Sequence, residues 1–101
     1  MNPDDLEVVA KAGYETKHVG ANWEEAKAKG VDGPWREAAN RVHSLAKALG
    51  SSMIEGAGKY AYAGFTAGVK EWADLKESEQ ASWKNAGEVM FGRCKEILNL
   101  A

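Results

Sequence analysis

Residues 33–50, GPWREAANRVHSLAKALG, have the clearest helical pattern in the sequence. Asp32, Gly33 and Pro34 form a turn, and the proline favours the start of a helix because its missing N–H is not needed there. Apolar residues then recur at the spacing of one helix face, and Gly50 marks the end of the helix. The apolar face consists of Trp35, Ala38, Ala39, Val42, Leu45, Ala46 and Leu49.

Four other segments have the same helical periodicity, and none alternates with the period of a strand over more than a few residues. They span about 3–20, 23–29, 52–68 and 77–99. The four residues 52–55 fit a capping box, in which a serine and a glutamate satisfy the free N–H groups of a helix start. The sequence therefore predicts an all-α fold, a compact bundle of about five helices.

The composition limits the function classes. The chain has 101 residues with 13 Lys+Arg against 15 Asp+Glu, so there is no basic excess to neutralise the phosphates of a nucleic acid duplex. No uncharged stretch approaches the about 20 residues of a membrane helix, and the acidic start is unlike a signal peptide. With one cysteine it needs no oxidising compartment. We expect residues 1–101 to form a single cytoplasmic domain.

The sequence has a pattern that indicates an internal duplication. Two tryptophan pairs, Trp23 with Trp35 and Trp72 with Trp83, lie 12 and 11 residues apart. We therefore predict two pseudo-repeats, about 3–50 and 51–101, packed around one core. A shift of 48 residues places Trp35, Ala38, Val42, Ala46 and Leu49 over Trp83, Ala86, Met90, Cys94 and Ile97.

The fourth predicted helix is rich in small residues. Five glycines occur from Gly50 to Gly68, and each costs a helix interior about 1 kcal/mol relative to alanine. Such residues allow either close packing against a neighbouring helix or close approach of a ligand or partner. The small-residue face around Ala57, Ala61 and Gly64 is also a candidate contact for a homo-oligomer.

Aromatic and polar residues suggest a binding site between the two halves. Trp35 and Trp83 begin apolar helix faces and are predicted to lie in the core. Trp23 and Trp72 lie at bends, where one ring edge often stays in water and stacks on a ligand. His43 lies at the boundary of its helix face. The candidate ligand-binding residues are Tyr14, Trp23, Arg36, His43, Lys70 and Trp72.

The sequence offers no catalytic or metal-binding motif. Cys94 lies in an apolar helix face, where a thiol is inert. Glu15 and His18 have the spacing of a carboxylate–histidine metal motif, but the second half contains no histidine to complete it. Residues 56–59 lack the strand and the Ser/Thr of a phosphate-binding loop. We predict no enzyme activity, no cofactor and no metal.

Part of the second half resembles a known domain. It contains Tyr62-x-x-Phe65, then Trp72-x-x-Leu75, then Gln80-x-x-Trp83-x-x-Ala86. This pattern is similar to W-x-x-L-x-x-x-x-R/Q-x-x-W in small helical phage and bacterial proteins, and to half of a ryanodine-receptor repeat domain, which pairs two such halves. The first half matches less closely, since no leucine follows Trp23 in step.

The resemblance implies a compact helical fold without catalysis, and some related repeat domains are suspected of sensing nucleotide-derived signals. We therefore expect a phage-type or bacterial binding module that takes a small anionic or planar ligand between its halves. One alternative is a protein-binding inhibitor or accessory factor, for example of a host defence system. Another is an oligomerising structural protein.

Overall fold

The computed structural model describes residues 2–49 and 56–99, without the side chain of Leu49. Within these ranges it contains helices and no strand, which confirms the all-α prediction. None of the helices described there is long and apolar enough to cross a membrane. The helices are α1 (Pro3–Lys17), α2 (Trp23–Ala28), α3 (Gly33–Leu49), α4 (Ala57–Phe65) and α5 (Glu77–Ile97), with one 3-10 turn (Trp72–Asp74) before α5.

Asparagines cap the first two helices. The Asn2 side-chain oxygen accepts a hydrogen bond from the Asp5 backbone N–H at 2.8 Å. Asn22 accepts from the Glu24 N–H at the same distance at the start of α2. Each bond satisfies a donor that lacks a partner inside the helix. α1 ends three residues before Gly20, which has a φ of +85° in the turn that follows.

α4 is shorter than predicted at both ends. The predicted capping box, residues 52–55, lies outside the described residues. α4 begins at Ala57, behind Gly56, whose φ of +99° is readily adopted only by glycine. It ends at Phe65, so Gly68, the last residue of the predicted segment, lies beyond the helix and is exposed.

A Schellman motif explains the early end of α4. The Ala67 N–H donates to the Gly64 carbonyl at 3.2 Å, and the Gly68 N–H donates to the Ala63 carbonyl at 2.9 Å. Ala67 takes the left-handed position of this motif, with a φ of +54°. Gly30 fills the same position after α2, at +72°. An alanine here is strained by its Cβ.

We expect Ala67→Gly to raise the free energy of unfolding by about 0.5–1 kcal/mol, because relief of the left-handed strain exceeds the extra freedom of glycine in the unfolded chain. Urea denaturation measures the change. Ala63→Gly, within α4, is the matched control and should cost about 1 kcal/mol. Equal losses in the two variants would contradict the assigned strain.

The core lies where α3 and α5 meet. α1 packs on both of these helices, and so does α4. Trp35 and Trp83 stack there, with ring centroids 5.1 Å apart and an interplanar angle of 20°. Both indoles are buried, as the sequence predicts. Phe91, also fully buried in α5, extends this core beyond the predicted apolar face.

The glycines of α4 and α5 permit close helix packing. A Cβ on Gly58 would lie 2.6 Å from the Lys84 Cα, and one on Gly64 would lie 2.8 Å from the Ala38 Cα. Ala57 and Ala61 are fully buried. The face predicted as a homo-oligomer contact is therefore covered by α3 and α5 of the same chain and is not available to a second copy.

Candidate functional site

An open cleft of about 440 Å³ lies between the C-terminal ends of α1 and α4 and the N-terminal ends of α3 and α5. Four aromatic side chains line it: Trp35, Tyr62, Phe65 and Trp83. The Phe65 ring centroid is 5.1 Å from those of both tryptophans. We call this the aromatic cleft. Both halves of the chain supply its walls.

The polar groups of the aromatic cleft are mainly cationic. The Lys17 ammonium is 3.0 Å from the Glu79 carboxylate and 5.1 Å from the centre of the Trp83 ring. Lys70 is exposed and forms no ion pair with residues 2–49 or 56–99. His18 is exposed, with its ring centroid 6.1 Å from that of Trp35. Two lysines against one glutamate give the lining a positive balance.

Only Lys70 of the predicted site residues lines the aromatic cleft. Tyr14 packs behind it, with its ring centroid 5.9 Å from that of Trp35 and 5.2 Å from that of His18. Trp72 is half-buried beside the cleft, where its ring meets Tyr62 edge to face at 5.9 Å. These two predicted residues therefore neighbour the cleft without lining it.

Trp23 and Arg36 belong to a separate polar network. Trp23 is 1% exposed, so the prediction that one of its ring edges stays in water is wrong. α2 folds back on α1, and the Arg36 guanidinium lies 5.7 Å from the Trp23 ring centre. Arg36 also pairs with Asp32 at 2.9 Å. The side chains of both predicted ligand-binding residues thus make their contacts within the protein itself.

Glu7 joins this network to α1. Its carboxylate accepts hydrogen bonds from Lys27 at 2.9 Å, Arg36 at 3.2 Å and the Trp23 indole at 3.4 Å. These donors, Lys27 foremost, hold the pKa of the Glu7 carboxyl below its ordinary value. The network therefore stabilises the packing of α1 against α2 and α3.

His43 is half-buried on α3 and is not among the residues that line the aromatic cleft. Burial lowers the pKa of its imidazole, and the nearby Lys47 acts in the same direction. The structure thus does not bring His43, a candidate ligand-binding residue, to the aromatic cleft.

Sequence reasoning missed most of the cleft lining. The sequence predicts Trp35 and Trp83 only as core residues, and it gives Phe65 only as part of the Tyr62-x-x-Phe65 motif. No sequence motif points to Lys17, and His18 belongs only to an incomplete metal motif. One sequence pattern could have indicated part of the lining, because Gly13-Tyr14 near the end of α1 is echoed by Gly64-Phe65 near the end of α4.

Cys94 is fully buried in α5. Burial raises the pKa of its thiol to about 12, so the thiol stays protonated at neutral pH. Since the thiolate is the reactive form, Cys94 is inert, as its position in the apolar face indicates.

The motif that resembles half of a ryanodine-receptor repeat domain coincides in part with the cleft. Tyr62, Phe65 and Trp83 line it, and Trp72 lies beside it. The resemblance rests on these short motifs alone. No family model matches the chain, and no curated protein or solved structure matches it either.

Proposed function

We propose that this protein is a non-catalytic binding module, and that its aromatic cleft takes a small, planar, anionic ligand of nucleotide-derived type. The observation that carries this proposal is the combination of four aromatic side chains with a net positive lining in one concave site. Ligand sites are typically apolar clefts of about 300–1,000 Å³ with a few polar groups that orient the ligand. The cleft, at about 440 Å³, is within this range.

Different residues of the cleft contact the planar ring and the anionic group of the ligand. A planar ring packs against Phe65 and His18, which keep part of their surface accessible. Stacking of a base on an aromatic side chain is worth about 1–3 kcal/mol. Lys70 supplies the charge for the anionic group, because the Lys17 ammonium already binds Glu79 and the Ser82 hydroxyl.

A thermal-shift screen of nucleotides and cyclic nucleotides tests this proposal. We expect a ligand that raises the melting temperature with increasing concentration, because binding to the folded state stabilises it by mass action. Lys70→Ala should reduce that shift without lowering the unliganded melting temperature. Lys11→Ala removes an exposed lysine of α1 that does not line the cleft, and it should leave the shift unchanged. Equal effects of the two substitutions would reject the cleft as the site.

A protein partner is the second candidate. Val19 and Val69 are 90% and 81% exposed, and each is adjacent in sequence to a residue that lines the cleft, His18 and Lys70. Exposed apolar side chains beside a cleft favour a protein-binding inhibitor or accessory factor that covers them. In that case no nucleotide shifts the melting temperature, and a purified partner loses binding on Val69→Asp.

We further propose that the two halves are pseudo-repeats of the ryanodine-receptor-repeat kind. The packing supports this, because an exchange of α1 with α4, of α3 with α5 and of α2 with the 3-10 turn leaves the set of contacting elements unchanged. The stacked pair Trp35 and Trp83 lies where the halves meet. The first helices of the two halves differ in length, since α1 has 15 residues and α4 has 9.

A further inference from the structure

A second hollow, of about 270 Å³, adjoins the aromatic cleft around Trp72. Tyr62 and Lys70 line both concave sites. The Tyr62 ring centroid is 5.4 Å from that of Trp83 and 5.9 Å from that of Trp72, and it meets both rings edge to face. We call this site the Trp72 hollow. Tyr62 thus separates two sites that each contain a tryptophan, and Lys70 reaches both.

The Trp72 hollow has the same chemical character as the cleft. Trp72 is half-buried, and its carbonyl accepts a hydrogen bond from the Gln80 side chain at 2.9 Å, which fixes the 3-10 turn. Lys59 and Lys70 line the hollow against one carboxylate, Glu71. The Trp72 hollow therefore shares two features with the aromatic cleft, an aromatic surface and a positive charge balance.

A neighbouring concavity lacks this character. It is also lined by Tyr62, Lys70 and Glu71, but it adds a second carboxylate, Asp74, so its charge balance is negative. An anionic group is repelled there, since like charges at short range are destabilising. This concavity is not part of the site described here.

We infer that the ligand has two planar groups joined by an anionic linker, the chemistry of a dinucleotide. This rests on the proposed function of the cleft. One ring occupies the aromatic cleft, the other lies against Trp72, and the linker passes Lys70. The two rings then lie on either side of Tyr62, unstacked from each other.

Covalent linkage of two weakly held groups raises their affinity, because the second group binds from a high local concentration. A base–aromatic stack of about 2 kcal/mol, the middle of the usual range, corresponds to a gain of about thirtyfold. A dinucleotide should therefore bind at least about tenfold more tightly than the matching mononucleotide, even though its single phosphodiester has less negative charge than a terminal phosphate.

Isothermal titration calorimetry on the full chain tests this inference. The probes are AMP and ApA, two adenosines joined by one phosphodiester, together with the guanine pair GMP and GpG. We expect the dinucleotide of at least one pair to bind at least tenfold more tightly than its mononucleotide. Trp72→Leu should bring that ratio close to one, whereas Trp72→Phe, which keeps an aromatic face, should retain most of it. Lys11→Ala is again the control and should leave both affinities unchanged.

The outcomes separate this inference from the function on which it rests. If mononucleotide and dinucleotide bind equally well, the ligand has one planar group and the inference fails, while the cleft remains a nucleotide site. If Trp72→Leu weakens both probes by the same factor, Trp72 only supports the cleft and the inference also fails. If no probe of either pair binds, both the inference and the proposed function fail.

Discussion

Trp23→Ala lowers the free energy of unfolding by about 3–5 kcal/mol, as much as Trp35→Ala or Trp83→Ala, because all three indoles are enclosed and each substitution leaves a large cavity. Trp23 also supports charged neighbours. When the Trp23 indole is removed, the Arg36 guanidinium loses its aromatic contact and the Glu7 carboxylate loses one hydrogen-bond donor. Guanidinium denaturation measures the loss.

Trp72→Ala is the matched comparison and should cost clearly less, because Trp72 is only half-buried and lies in a single 3-10 turn. The bend positions alone predict that Trp23 and Trp72 behave alike, whereas the structure groups Trp23 with the two core tryptophans. A loss for Trp23→Ala as small as that for Trp72→Ala would show that α2 is only loosely held on α1.

Gly87→Ala costs about 3 kcal/mol, the upper end of the range for overpacking, because the added methyl group meets backbone and not a side chain. A Cβ on Gly87 would lie 2.3 Å from the Gly58 nitrogen and 2.5 Å from the Gly58 Cα. The two helices cannot remain at their present separation, so α4 must move away from α5. Urea denaturation followed by circular dichroism measures the effect.

Gly92→Ala provides the control on the same helix. A Cβ there would have no neighbour within 4 Å, so only helix propensity changes, and we expect a gain of up to about 1 kcal/mol. The two substitutions are chemically identical and should have opposite signs. Equal effects would mean that α4 and α5 do not cross as closely as described.

The long helices could be predicted from sequence because their signals are local. On α3, the predicted face from Trp35 to Ala46 is buried at every position, and on α5 the face from Trp83 to Cys94 is buried as well. A helical repeat of apolar residues determines which side of the helix faces the core, and it does so independently of the helix that packs against it. Of the two interpretations of the small residues in α4, the structure supports close helix packing at Gly58 and Gly64.

The remaining features depend on tertiary contacts that local spacing does not encode. Trp23 is buried only because α2 folds onto α1. The Lys17–Glu79 pair joins positions 62 residues apart, and no periodicity links them. The end of α4 requires Ala67 in a left-handed conformation that alanine rarely adopts. The aromatic cleft forms because α1 and α4 both end beside Trp35 and Trp83. Since these two tryptophans belong to apolar helix faces, the sequence predicts them only as core residues.

The stacked indoles of Trp35 and Trp83 also have an optical consequence. Their ring centroids are 5.1 Å apart and their planes are nearly parallel, one on α3 and the other on α5. At this separation the electronic transitions of two indoles couple through space and give the pair a circular dichroism signal of its own. That signal depends on the contact between the two halves and not on helix content. The protein thus contains an intrinsic probe that distinguishes the docking of its halves from the formation of its helices.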